Sequence, residues 1–185
     1  GNLGLTQGRS EILSRVETVL NEPGTLGVSA ALDNFFNSWS EFATNPTDTT
    51  VQRLVRENGD RLAQRFNDVA TKLDQLRQDG EDRLNQAVDR VNALTDEVSR
   101  LNRDIIAIES GGISAGDLRD ARDRALDELS SLVDINVRER EDGSVGVTLQ
   151  GYTIADRDET LTLETRQVGS EVRVAIAGRS GTLTG

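Results

Sequence analysis

The 185-residue chain has no cysteine, no histidine and no methionine, and only two prolines. Without cysteine there is no disulfide and no thiolate metal site, and redox chemistry gives no clue to the compartment. Without histidine the commonest metal ligand is missing, together with the one side chain that ordinarily titrates near neutrality. Aromatics make up 3% of residues. No run of about 18 apolar residues is available to span a membrane. Cations are scarce: 21 Lys and Arg stand against 32 Asp and Glu, for a net charge of −11. That balance argues against nucleic acid, where binding rests on cations displacing counterions, and against anionic lipid surfaces. No basic-then-apolar leader opens the chain. Its start at Gly1-Asn2, with no methionine anywhere, reads as that of a trimmed fragment.

What the chain does contain is periodicity. Apolar residues are 35% of the total and mean hydropathy is −0.47, yet the apolar positions recur regularly enough to predict a folded, helix-rich protein. The clearest run is a heptad seam at Leu84, Ala87, Val91, Leu94, Val98, Leu101, Ile105 and Ile108. Asp89, Asp96 and Arg103 occupy the opposite positions. A narrow apolar stripe of this kind needs a partner helix to cover it.

The organisation follows from the breaks. Residues 10 to 21 predict a short helix with Ser10 as N-cap and Ile12, Val16 and Leu20 on one face, stopped before Pro23. A second helix is predicted over residues 28 to 43, carrying Val28, Leu32, Phe35, Phe36, Trp39 and Phe42, and closed by Asn45-Pro46. From about Thr49 to Ser110 the pattern predicts near-continuous helix, with Gly59 and Gly80 the likeliest bends at about 1 kcal/mol each relative to alanine. After Gly111-Gly112, Ser114 and Asp117 predict a capping-box start to a helix over residues 115 to 132. The period then changes to alternation. Residues 135 to 140 and 145 to 149, joined by Glu141-Asp142-Gly143-Ser144, predict a β-hairpin, and Thr160 to Gln167 and Glu171 to Ala177 alternate again. The expected fold is α+β: an elongated antiparallel helical bundle with one long helix over residues 1–133, followed by a small antiparallel β domain over 134–185.

Three groups of residues carry candidate chemistry. Asp117, Asp120, Asp123 and Asp127 fall at near-helical spacing and invite a hard-cation site. Interleaved arginines favour ion pairing instead, Arg119 with Asp123 and Asp120 with Arg124, with Asp117 favourably placed near a helix N-terminus. Phe35, Phe36, Trp39 and Phe42 hold four of the six aromatics. They suit either a partner surface or a core, and the helical spacing favours core. Asn102, beside the seam, either bonds across an interface and fixes register or is simply solvated, and both readings stand. No base–nucleophile pair, phosphate-binding glycine loop or metal-ligand spacing is present, so no enzyme activity and no cofactor are expected.

Val91-Asn92-Ala93-Leu94, then Val98-Ser99-Arg100-Leu101-Asn102-Arg103-Asp104-Ile105, then Gly116-Asp117-Leu118-Arg119-Asp120-Ala121-Arg122-Asp123 and Leu126-Asp127-Glu128-Leu129-Ser130 together resemble the FlgK family of flagellar hook-associated proteins. Phe35-Phe36 ahead of Asn45-Pro46 adds to the likeness, which runs from about Leu5 to Tyr152 and more weakly to Leu183. Gly116 and Arg119 depart from the family pattern of asparagine and leucine. The resemblance implies a structural subunit at the junction of flagellar hook and filament, exported through the flagellar channel and lying outside the cell. The implied partners are the hook protein, the second junction protein and, in the full-length form, other copies of itself. The family's terminal helical segments are expected to be missing, so the fragment is not expected to polymerise. The competing reading is a secreted coiled-coil module, adhesin-like, that binds a ligand through its β unit.

Overall fold

The computed structural model describes Leu13, Ser14, Val16 and Glu17 and residues 27–157 and 159–183. Those four early residues are helical, and the rest of the helix expected over 10 to 21 lies outside the described residues. Three further helices follow: α1 (Val28–Thr44), α2 (Thr49–Glu109) and α3 (Gly116–Leu132). Among the described residues, five strands complete the fold: β1 (Ile135–Glu139), β2 (Val145–Leu149), β3 (Tyr152–Ala155), β4 (Leu163–Val168) and β5 (Glu171–Ile176). The class is α+β. Among the described residues, those up to Gly80 form one compact unit and those from Glu81 onward another. Helix gives way to strand elsewhere, between Leu132 and Ile135.

In the first unit, α1 ends where Asn45 donates its backbone N–H to the Glu41 carbonyl at 3.0 Å. Asp48 then caps α2, accepting from the backbone N–H of Thr50 at 2.7 Å and of Val51 at 3.4 Å, which supplies acceptors for otherwise orphaned donors. The two helices meet through small and polar residues. Ser38, Val51 and Asn58 are buried, and Asn58 Nδ2 donates to the Asn34 carbonyl at 3.2 Å. Gly59 seats the Phe35 ring, which would lie 3.5 Å from a Cβ placed there. The long helix runs through this glycine unbroken.

The expectation that the aromatic stripe is core is corrected here. Phe36 is 60% exposed and Trp39 52%, while Phe35 and Phe42 are half-buried. Helix α1 turns Ser38 toward α2, and its aromatic stripe is wider than the face it can bury there. The rings pack on one another instead, with Phe35–Phe36, Phe35–Trp39 and Trp39–Phe42 centroids 5.6, 6.0 and 5.9 Å apart.

The second unit is organised by the seam. Val91, Leu94, Val98, Leu101 and Ile105 are buried, as are Val88, Thr95, Ser99 and Asn102 beside them. The buried face is therefore broader than a two-helix stripe. Its cover is mixed: Ala125 and Leu129 from α3, Val145, Val147 and Leu149 from β2, Ile154 and Ala155 from β3, and Leu163 and Ile176 from β4 and β5 join it in one apolar cluster. A partner helix was expected to cover the seam, and it shares that role with both sheets. Asp89, Asp96 and Arg103 stay exposed on the far side.

The strands form two antiparallel sheets, β1-β2-β3 and β4-β5. The hairpin pairs Ile135 with Leu149 through Glu139 with Val145, and β4 pairs Leu163 with Ile176 through Val168 with Glu171. Strand β3 was missed by alternation because it is four residues long and follows β2 through a two-residue turn. That turn has Gln150 at φ 48° and Gly151 at φ 82°, the doubly positive geometry of a tight hairpin, usually signalled by Asn-Gly.

Candidate functional site

The densest polar constellation lies where the end of α2, the start of α3 and the β1–β2 turn converge. Gly111-Gly112 reverses the chain, with Gly112 at φ 80°, and α3 starts from Ala115 with no side-chain cap. The predicted Ser114 capping box is thus corrected: the acceptor arrives from across the turn. Glu109, the last residue of α2, accepts from the Ala115 backbone N–H at 3.3 Å, and from Arg119 Nε at 2.8 Å and Nη2 at 2.6 Å. Arg119 also donates from Nη1 to Glu139 at 3.0 Å, tying β1 to the same point. The predicted Arg119–Asp123 pairing is replaced by these partners, because a planar guanidinium satisfies two carboxylates through a fork better than one neighbour on its own helix. The Arg119 hydrogen bond holds the Glu109 carboxyl below its ordinary range, and the two carboxylates push the Arg119 guanidinium upward.

One layer deeper sits Arg122, 3% exposed. Its Nη1 donates to the Gly143 carbonyl at 2.7 Å and reaches Asn102 Oδ1 at 3.4 Å. Burial lowers its pKa, and Nε makes no hydrogen bond but lies 3.9 Å from Asp123 Oδ1. Gly143, at φ 80°, lies against the ion pair: a Cβ would lie 2.5 Å from Arg119 Nη2 and 2.9 Å from Glu109 Oε2, so a side chain there would have to push the pair aside. The turn itself is braced by Asp142, which accepts from the Ser144 hydroxyl at 2.6 Å and backbone N–H at 3.0 Å. Those bonds lower its pKa.

Asn102 is fully buried. Its Nδ2 donates to the Val145 carbonyl at 2.7 Å, and its Oδ1 accepts from the Val145 backbone N–H at 3.0 Å. Ten residues earlier Asn92 repeats the arrangement on β4, donating to the Leu163 carbonyl at 2.8 Å and accepting from the Leu163 N–H at 2.8 Å. Further along α3, Arg90 and Glu128 pair through two bonds of 2.6 and 2.5 Å. Taken with Arg122–Asn102 and Arg119–Glu109, this pairing runs α3 antiparallel to α2.

The predicted site residues therefore separate. Asn102 and Arg122 meet in this polar junction, and Leu94 and Leu101 lie in the buried face of α2. Asp117, Asp120 and Asp123 are exposed on α3. Phe35, Phe36 and Trp39 belong to the first compact unit. Sequence reasoning missed Glu109, Arg119 with its partners, Gly143 and Asn92. Asn92 had a signal, being an asparagine flanking the apolar seam just as Asn102 does.

The junction's side chains are directed at backbone and at one another, and its glycine approaches them too closely to leave space. The fold and junction define a structural helix–sheet module, in which polar groups fix geometry. The family comparison gives that class a particular form: the chain belongs to the family described as the flagellar hook-associated protein FlgK helical domain, whose model matches residues 13–184. It is 30% identical over 161 residues to "Flagellar hook-associated protein 1" of Bacillus subtilis (strain 168), covering 87% of this chain and 30% of that protein. Among solved structures it is similar to the flagellar hook junction protein FlgK from Burkholderia pseudomallei, with a TM-score of 0.75 and 26% identity, covering 97% of this chain and 34% of that one. The chain spans about a third of the length of these relatives.

Proposed function

We propose that this chain is the helical-domain portion of a non-enzymatic structural subunit at the junction of flagellar hook and filament, exported to the extracellular flagellum. The observation that carries this reading is the family match across residues 13–184. The polar junction supports it, because bidentate links among α2, α3 and both sheets give a rigid body suited to bearing load between neighbours. The partners in this reading are flagellar axial proteins: the hook protein, the second junction protein and, in the full-length form, other copies of the same subunit. The exposed Phe36 and Trp39 face is assigned to contact with such a neighbour, since aromatic side chains are favoured at the centres of interfaces. Leu94, Leu101, Asn102 and Arg122 act inside the module, while Asp117, Asp120 and Asp123 keep the outer face of α3 solvated.

An in-frame deletion of this segment from the full-length protein tests the reading. Cells carrying it are expected to be non-motile, with hooks that lack filaments under electron microscopy and filament subunits released into the medium. Normal filaments together with a loss of surface attachment would overturn it in favour of the adhesin-like module.

A further inference from the structure

Helix α2 carries two side chains that do the same unusual thing to two different sheets. A carboxamide offers one acceptor and a donor on the same planar group, as a peptide unit does. Asn102 uses both on the backbone N–H and carbonyl of Val145, and Asn92 uses both on those of Leu163. Val145 is 4% exposed and Leu163 3%, so their backbone groups lie where an unmade bond is costly.

The ladders explain why these two residues need outside partners. At the end of the β1–β2 hairpin the bonded neighbours are Arg140 and Ser144, with Arg140 N–H donating to the Ser144 carbonyl at 2.8 Å. Val145, next along, turns its polar groups the other way. Strand β3 would receive them there, but its pairing with β2 stops at Val147 with Ala155. At β4, Ala177 N–H donates to the Thr162 carbonyl at 2.9 Å, and Leu163 likewise faces away from β5. In both places no strand among the described residues supplies the partner, and an asparagine side chain stands in for one residue of it.

We infer that Asn92 and Asn102 are a matched pair of positioning residues, each acting as a one-residue strand, by which α2 sets the seating of both sheets along and around its axis. Ten residues separate them, which is about 15 Å along the helix and about 80° around it. One attachment leaves a body free to slide or pivot. The sheets have no strand in common but pack into one apolar cluster, so they move as one body. Two attachments that differ in height and angle remove both freedoms from it. Apolar packing cannot do this alone, because contacts among Val, Leu and Ile side chains are non-directional and tolerate small shifts. The residue type is specified as well: an ionised aspartate has no donor, serine carries donor and acceptor on a single atom, and glutamine carries the pair on a longer arm. The inference concerns the module's internal geometry and stands apart from any flagellar role.

Nuclear magnetic resonance on the 185-residue chain tests it in two ways. In the unaltered protein, couplings across hydrogen bonds are expected between Asn102 Nδ2 and the Val145 carbonyl, between the Val145 amide and the Asn102 side-chain carbonyl, and likewise for Asn92 with Leu163. Their absence from both pairs would overturn the inference without any variant having to fold. In Asn102→Ala, amide hydrogen exchange at Val145 is expected to speed up about tenfold more than at Val147, with Leu163 unaffected, and Asn92→Ala should do the reverse. A uniform change across the unit in both variants would reduce the asparagines to ordinary stabilising residues and overturn the pairing.

Discussion

Two helix faces in this molecule carry apolar residues at the same spacing and meet different fates. On α2, Val91, Leu94, Val98, Leu101 and Ile105 are all 2% exposed or less. On α1, Phe36 and Trp39 are more than half exposed, and the buried residue between them is Ser38. The first face has three elements available to cover it: one helix and two sheets, placed by directional hydrogen bonds. The second meets a single helix segment, where Asn58 bonds the Asn34 carbonyl and Gly59 seats only the Phe35 ring. Periodicity records that a face is apolar. What covers it depends on residues far away in sequence.

The comparison breaks first at Leu101. Placing a charge there by Leu101→Asp is expected to prevent folding or to remove several kcal/mol of stability, since no partner is positioned to offset desolvation. Asp96→Ala, on the exposed side of the same helix, should change stability by no more than about 0.5 kcal/mol. Denaturant melts giving the two variants the same midpoint would show that the α2 face is not covered in solution. A smaller effect is expected at the polar junction. Arg122→Met keeps bulk and removes the buried cation, leaving the Gly143 carbonyl without its charged donor, for a loss of about 2 kcal/mol. A stabilised variant would mean that desolvating the guanidinium outweighs its hydrogen bonds.

Most elements were legible because their signals are local. Asn45-Pro46 stops α1, and the seam register places every exposed charge of Asp89, Asp96 and Arg103 on the correct side. Two kinds of feature were not legible. One depends on turn geometry with weak sequence marks, such as Gln150-Gly151 before β3. The other depends on which of several chemically equivalent partners lies near in space. Arg119 has carboxylates at Asp123, Glu109 and Glu139, and only the folded turn decides among them. Ser114 failed as a cap for the same reason, with Glu109 already occupying that end of α3.

Acidification separates the two regions by their chemistry. The buried α2 face has no carboxylate, whereas Glu109 is held below its ordinary value of 4.5 by Arg119 and Glu128 is lowered likewise by Arg90. A carboxyl whose pKa is depressed on folding adds stability that is present above its unfolded value and lost as pH falls through its folded one. Stability is therefore expected to decline below about pH 5, and Glu109→Gln should make that decline shallower in melts measured across the acid range. An unchanged slope would remove the Glu109–Arg119 pair from the explanation.

The smallest effect belongs to the aromatic face, and it is the most direct check on its exposure. Trp39 is the only tryptophan in the chain, so intrinsic fluorescence reports on it alone. At 52% exposure, with Phe35 and Phe42 beside it, its emission should resemble that of a largely hydrated indole and be readily quenched by a small soluble quencher. Trp39→Ser would then cost only about 1 kcal/mol, because about half of the indole is already in water. In an assembled flagellum the same residue should become protected if the face meets a neighbouring subunit. A blue-shifted, unquenchable signal from the isolated chain, together with a loss of several kcal/mol in Trp39→Ser, would place this stripe in the same class as the α2 face. That result would withdraw the aromatic face from the proposed contact surface.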